Sequence, residues 1–134
     1  MISKDFVLAG NATFTVDNGK GEHFTFKVKK PRSGDKVFFL SVLTGPDNYS
    51  NYTYAGIVDA DSGSIRTTGK SRVSDGAKSF QVAVWALNVI WRGHTSLPGT
   101  YSISHAGKCG RCGRKLTEPE SLASGLGPTC REAI

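Results

Sequence analysis

Four residues near the carboxyl end of the 134-residue chain have the types and spacing of a metal site. They are His105, Cys109, Cys112 and Cys130, in the pattern His-x3-Cys-x2-Cys-x17-Cys. Zinc binds four nitrogen or sulfur donors in a tetrahedron, with bonds of about 2.0–2.3 Å. A Cys-x2-Cys pair suits this geometry, because one tight turn aims both sulfurs at the same point. The spacing therefore predicts a structural Zn²⁺ site with no open position for a substrate.

The same cysteines allow other interpretations. A Cys-x2-Cys pair is also a redox site in thioredoxin-like proteins, but there it follows a strand of a βαβ unit, which this sequence does not predict. Unligated thiols are the third possibility. The identity of the fourth zinc ligand has alternatives too. His94, His23, water or a donor from a partner could take the place of His105. If only the cysteines bind, the argument for a purely structural site weakens.

Glycines and a short helical signal surround the predicted ligands. Gly110 and Gly113 each follow a cysteine, where left-handed backbone angles let N–H groups approach the thiolates. Residues 117–120 fit a capping box, which predicts the start of a short helix. A second glycine-rich run then leads to Cys130.

Three short runs in this segment carry a resemblance to a known family. They are His-Ala-Gly-Lys-Cys-Gly-Arg-Cys-Gly-Arg, Leu-Thr-Glu-Pro-Glu-Ser and Gly-Pro-Thr-Cys, and the resemblance covers roughly residues 105–131. Together they resemble a short zinc-binding domain of unknown function found in phage and bacterial proteins. The resemblance implies that His105, Cys109, Cys112 and Cys130 are the metal ligands. It also implies a phage or prophage origin, but no activity.

Residues 1 to about 75 alternate short apolar stretches with turn residues. The alternation along residues 11–16 and 23–28, around a glycine-bearing turn, predicts a β-hairpin with one buried face. The continuously apolar run 37–43 predicts a central strand. Further strands are predicted at residues 52–58, 64–68 and 100–105. Short strands joined by tight turns predict an antiparallel meander that curls or partly closes into a barrel.

The apolar pattern changes to a helical period after Ser74. An amphipathic helix is predicted at about residues 75–92, with a stripe formed by Phe80, Ala83, Val84, Leu87 and Trp91. Ser74 or Asp75 is expected to cap its start and Gly93 to end it. We expect this one helix to cover the sheet. The predicted fold class is therefore α+β, with a β-rich domain at residues 1–104 and a zinc-binding module at residues 105–134.

Composition narrows the class of protein. Hydrophobic residues make up 38% of the chain and charged residues 21%, which suffices for a packed core. No apolar stretch approaches the roughly 20 residues of a membrane-spanning helix, and the amino-terminal apolar run is too short for a secretory signal. The three cysteines are odd in number and confined to one end, which argues against a disulfide framework. We therefore expect a cytoplasmic protein, in the host cytoplasm if a phage encodes it, with no membrane partner.

The net charge of +6 favours an acidic partner. Basic residues form one cluster after the second predicted strand and another around the cysteines, and the candidate contact residues are Lys27, Lys29, Lys30, Arg32, Lys108, Arg111, Arg114 and Lys115. Two such clusters suffice for several phosphate contacts, although solvated charges that keep a protein in solution are the alternative. Tyr49, Tyr52 and Tyr54 can stack on bases or lie half-buried in the sheet.

No enzyme is predicted. The sequence lacks a nucleophile elbow, a phosphate loop and the His-x-Glu signature of zinc deaminases, and we expect no small-molecule substrate. The sequence favours a small zinc-containing binding protein of phage type that contacts nucleic acid through its basic surface. The alternative is an inhibitor or adaptor that binds a host or defence protein, without nucleic acid, through the face around Trp85 and Val89 or through the tail.

Overall fold

The computed structural model describes residues 2–32, 34, 36–45, 51–94 and 96–132. The elements in chain order are α1 (Lys4–Val7), β1 (Asn11–Asp17), β2 (His23–Lys29), β3 (Val37–Leu43), β4 (Tyr52–Asp59), β5 (Ile65–Arg66), α2 (Lys78–Trp91), β6 (Ser102–His105), α3 (Pro119–Ser124) and α4 (Pro128–Glu132). None of the helices in these ranges is long and apolar enough to cross a lipid bilayer.

The strands form one antiparallel sheet of order β5-β4-β3-β2-β1-β6. Strands β1 to β4 are the predicted meander, and β3 lies inside the sheet between β2 and β4. The sheet has two edges, β5 and β6, so the expected partial closure into a barrel is wrong. The reason lies in the chain path: β5 has two residues, and α2 then carries the chain to the opposite edge, where β6 pairs with β1.

One face of the sheet and two helices build the core. The sheet contributes alternate residues of each long strand, such as Phe14, Phe26 and Leu40, all 0% exposed. Helix α2 packs on this face, but α1 does so as well, through the fully buried Phe6 and Val7. The expectation that one helix covers the sheet is therefore corrected: two helices pack on it. The sequence did not predict α1, because a helix of four residues is too short to show a helical period of apolar residues.

Helix α2 is shorter than predicted, and its buried stripe is rotated. It begins at Lys78 after Ala77, with no side-chain cap, because the Ser74 hydroxyl accepts a hydrogen bond within the preceding turn instead. The buried residues are Phe80, Ala83, Ala86, Leu87 and Ile90. Val84, which was expected in the stripe, is 41% exposed. Gly93 has a φ of 75° and follows the helix end, as predicted.

The opposite face of the sheet carries polar, basic and aromatic side chains, because residues alternate between the two faces of a strand. We call it the open face, and its residues include Thr13, Thr15, Thr25, Lys27, Lys29, Phe39, Ser41, Tyr52 and Tyr54. The hydroxyls of Thr15 and Thr25 pair across it at 2.8 Å. Neither α1 nor α2 packs on the open face, since both contribute to the core on the other side.

Candidate functional site

Three cysteine sulfurs meet at one point in the carboxyl-terminal segment. The Sγ atoms of Cys109, Cys112 and Cys130 all lie within 4.8 Å of one another, and none forms a disulfide. A tetrahedral zinc ion with Zn–S bonds of about 2.3 Å holds its sulfurs about 3.8 Å apart. Soft thiolate donors suit such an ion. The three cysteines can therefore hold one metal ion between them.

A tight turn aims the first two sulfurs. The N–H of Cys109 donates to the carbonyl of Arg114 at 2.8 Å, and the N–H of Gly113 donates to the carbonyl of Cys109 at 2.9 Å. A β-bridge between Lys108 and Lys115 closes the base of the turn. Gly113 has a φ of 79°, so the left-handed angle predicted for it is present. We call residues 108–115 the knuckle.

Two short helices bring Cys130 back to the knuckle. Helix α3 ends at Ser124 and is followed by Gly125, which has a φ of 78°. Helix α4 then begins at Pro128 and carries Cys130. The predicted capping box is wrong, because the residue before α3 is Glu118 and no side chain caps the helix. Instead, Pro119 occupies the first turn, where the fixed φ of proline suits a helix start.

Phe6 connects the carboxyl-terminal segment, which carries the three cysteines, to the core of the sheet. Its side chain is fully buried, and a Cβ atom at Gly110 would lie 2.7 Å from its ring. A Cβ atom at Gly125 would lie closer still. The N–H of Asn11, at the start of β1, donates to the carbonyl of Gly110 at 2.7 Å. Gly110 is thus required for close approach to Phe6 and has no left-handed φ, contrary to the prediction.

The structure places His105 outside the cysteine group. Its Nε2 donates to the carbonyl of Leu122 at 2.5 Å, and its Nδ1 accepts from the N–H of Gly107 at 2.9 Å. The ring also lies 5.8 Å from that of Phe6, centroid to centroid. Because β6 directs this side chain toward the core, both ring nitrogens contact backbone atoms. Coordination by His105 stays a prediction and requires the ring to leave these partners.

The other two histidines also lie outside the cysteine group. His23 starts β2 and pairs with Asp17 across the hairpin, and His94 follows the end of α2. Among the described residues, no fourth His, Cys, Asp or Glu joins the three cysteines.

A cavity of about 370 Å³ opens beside the three cysteines. Ser121 lines it and is 1% exposed, yet its Oγ has no hydrogen-bond partner among the described residues. A buried hydroxyl without a partner costs about 1–3 kcal/mol. The Ser121 hydroxyl is therefore available to bond a molecule in this cavity. Sequence reasoning missed this buried hydroxyl, because a serine within a motif carries no signal of burial.

Hydrogen bonds control which thiol ionises first. Burial opposes ionisation of Cys109, but the backbone N–H groups of Cys112, Gly127 and Arg111, together with the Cys112 thiol, outweigh it and lower the pKa to about 6. The Arg111 nitrogen lies 3.4 Å from that sulfur, as predicted for an amide beside the thiolate. Burial raises the pKa of Cys130, and hydrogen bonds with the other two cysteines and their charges raise it further. Cys109 is thus available as a thiolate near neutral pH.

We expect the metal-free protein to titrate in separate thiolate steps. The ultraviolet absorbance of thiolate should first rise near pH 6, from Cys109, and last above the usual thiol range, from Cys130. Because the folded-state pKa of Cys109 is lowered, its thiolate stabilises the fold at high pH, and this contribution is lost as the pH falls through about 6. A Cys109→Ser variant should lack the early step. A wild-type protein without any early step would contradict this assignment.

Residues 104–134 match a family of unknown function, DUF6011. The matched range contains all three cysteines, and this agrees with the resemblance to a small cysteine-rich domain of unknown function. No curated protein and no solved structure matches the chain.

Residues 104–134, which we call the DUF6011 segment, place one lysine of each predicted basic cluster in a common groove. Lys27 of β2 and Lys108 of the knuckle line one groove of about 400 Å³ between the knuckle and the open face. Burial lowers the pKa of Lys27, and the positive charges of Lys29 and Lys108 lower it further. Cys109 lines the same groove, so the cysteine cluster lies directly beside it. Among the described residues, those that line this groove include no Asp or Glu.

The remaining predicted contact residues lie around this groove or apart from it. Arg114 and Lys115 line the cavity on the other side of Cys109. Four of these contact residues are exposed and line neither space, namely Lys29, Lys30, Arg32 and Arg111. The sequence alone placed Lys27 and Lys108 in separate clusters, since they are distant along the chain.

Proposed function

We propose that this chain is a small zinc-containing binding protein of phage type, that its metal is structural and not catalytic, and that its basic groove binds nucleic acid. The all-sulfur donor set supports zinc, because thiolates in a tetrahedral arrangement are typical of structural zinc sites. The fourth donor is His105 after a change of ring partners, or a non-protein ligand that bonds to Ser121.

The metal supports the groove as well as the DUF6011 segment. This segment has a small core of its own, formed by Cys109, Leu116 and Leu126. Such a core is too small to order a segment without further bonds. An ion held by Cys109 orders the knuckle, and Lys108 is the adjacent residue. The metal thereby fixes one wall of the basic groove.

The observation that carries the nucleic-acid proposal is the convergence of Lys27 and Lys108 on one groove. Lys29 adds a third positive charge close enough to affect Lys27. Cations held close together repel one another, so a bound phosphate relieves that repulsion. Threonine hydroxyls of the open face lie within the same groove and can donate to phosphate oxygens.

We expect a Lys27→Gln, Lys108→Gln double variant to bind nucleic acid more weakly than the wild type. Each lost phosphate contact reduces the slope of log K against log salt by about 0.7–0.9. Fluorescence anisotropy with a labelled oligonucleotide, measured over a series of salt concentrations, gives both the affinity and the slope.

The matched control is a Lys20→Gln, Lys70→Gln double variant, which removes the same two positive charges from exposed positions in the β1–β2 turn and in the loop after β5. It should leave the slope nearly unchanged. If this control and the groove double variant weaken binding equally, net charge explains the binding and the groove does not.

The second candidate is a protein that binds a host or defence protein. It is favoured by an apolar surface on the outer side of α2, where the Trp85 and Tyr101 rings lie 5.2 Å apart and Tyr101 is 47% exposed. Val84 on the same helix is 41% exposed. A pull-down from host lysate with nuclease treatment separates the two candidates, because a protein partner survives the nuclease.

A further inference from the structure

The open face has aromatic side chains that the core does not require. Phe39 is 42% exposed, although its neighbours Phe38 and Leu40 are buried on the other side of β3. Its ring meets that of Tyr54 edge-on, with the centroids 6.0 Å apart and the planes at 82°. A large exposed apolar side chain in an inner strand gives up the stabilisation of burial, so it suggests a surface that another molecule covers.

The register of the strands places positive charges beside these rings. Phe39 pairs with Lys29 of β2, and the neighbouring pair on this face is Ser41 with Lys27, the lysine that lines the groove. The Nζ atom of Lys27 lies 4.3 Å from the centroid of the Tyr52 ring. Adjacent strands are about 4.8 Å apart, so cations and aromatic rings form neighbouring rows. The row of cations continues to Lys108 at the edge of the groove.

Rows of rings and cations match the chemistry of a single nucleic-acid strand. Every base has a face that stacks on an aromatic ring, and every nucleotide carries a phosphate charge. A duplex keeps its base faces stacked on one another and so offers phosphates to the lysines but no base to Phe39. We propose that the open face binds single-stranded nucleic acid, with bases stacked on Phe39 and Tyr54 and phosphates along Lys29, Lys27 and Lys108. This inference rests on the proposed function and adds the form of nucleic acid that the groove accepts.

The test compares one labelled oligothymidylate with a duplex of the same length, by fluorescence anisotropy on the full chain at low and moderate salt. The wild type should bind the single strand at least about tenfold more tightly than the duplex. A Phe39→Ala variant should lose about fivefold or more in affinity for the single strand, with duplex affinity and salt slope unchanged. Because Phe39 is partly exposed, circular dichroism should show that the variant keeps its fold.

A Tyr101→Ala variant is the matched control, since it removes an exposed aromatic ring from the outer side of α2. It should leave single-strand affinity unchanged. Equal binding of both forms, or a Phe39→Ala variant with wild-type affinity for the single strand, overturns this inference and leaves the proposed groove intact. A loss in Tyr101→Ala as large as that in Phe39→Ala also overturns it. Binding of neither form at low salt overturns both proposals.

Discussion

A Cys130→Ser variant is expected to bind no stoichiometric zinc and to lose the order of residues 107–132. In the proposed site Cys130 is the ligand carried by the last helix of the DUF6011 segment, so its loss leaves only the Cys109 and Cys112 pair. Structural zinc contributes an apparent ~10–16 kcal/mol to the folding of small zinc-finger peptides, far more than the small core of this segment can replace. Metal analysis should give less than one ion per chain. Hydrogen exchange should be fast at the amides of Cys109 and Gly113, which are bonded in the knuckle.

The control for this variant is Thr129→Ala, which alters the exposed neighbour of Cys130 and no thiol. It should retain one zinc ion per chain, and hydrogen exchange at the amides of Cys109 and Gly113 should remain slow.

We also expect Cys130→Ser to weaken nucleic-acid binding about as much as Lys108→Gln does, because the disordered knuckle no longer holds Lys108 beside the sheet. Full zinc content in Cys130→Ser would contradict the three-cysteine site.

A Phe6→Ala variant is expected to destabilise the whole fold by about 3–5 kcal/mol, the usual cost of truncating a buried phenylalanine. The effect should reach both parts of the chain, because Phe6 packs in the main core and also against Gly110 and Gly125 of the DUF6011 segment. Urea unfolding followed by tryptophan fluorescence gives the free energy of unfolding. Exchange of the Gly110 amide, which donates to the carbonyl of Gly125, reports on the junction.

The partly exposed Phe39 provides the control for Phe6. Its replacement by alanine creates no internal cavity, so we expect a loss of less than about 1 kcal/mol. Two results would show that Phe6 does not join the main core to the DUF6011 segment. One is a Phe6→Ala variant whose free energy of unfolding falls no more than that of Phe39→Ala. The other is unchanged hydrogen exchange at the Gly110 amide in Phe6→Ala.

The strands were predictable because alternation of apolar residues is a local signal. The hairpin of β1 and β2 has its buried face where the sequence places it, on residues such as Phe14, Phe26 and Val28. The position of β3 inside the sheet also follows from its apolar run. The approach of Cys109 and Cys112 follows from their spacing, since a Cys-x2-Cys turn constrains both sulfurs. The approach of Cys130 depends on the path of α3 and α4, and the sequence indicated it only through the residue type and the family resemblance.

Features that depend on register between distant segments were not predictable in the same way. Phe39 is one of two adjacent phenylalanines in an apolar run, and only its pairing with Lys29 and Ile57 shows which one faces outward. The rotation of α2 depends on how the helix packs on the sheet, not on its own sequence. The contact of Phe6 with two glycines more than a hundred residues away leaves no trace in the local pattern.

X-ray absorption at the zinc edge, on the full chain purified without chelator, tests the central claim most directly. The account predicts one zinc ion per chain with three sulfur neighbours at about 2.3 Å and one nitrogen or oxygen neighbour at about 2.0–2.2 Å. A protein that binds no zinc, or a zinc ion surrounded by nitrogen and oxygen alone, would contradict it.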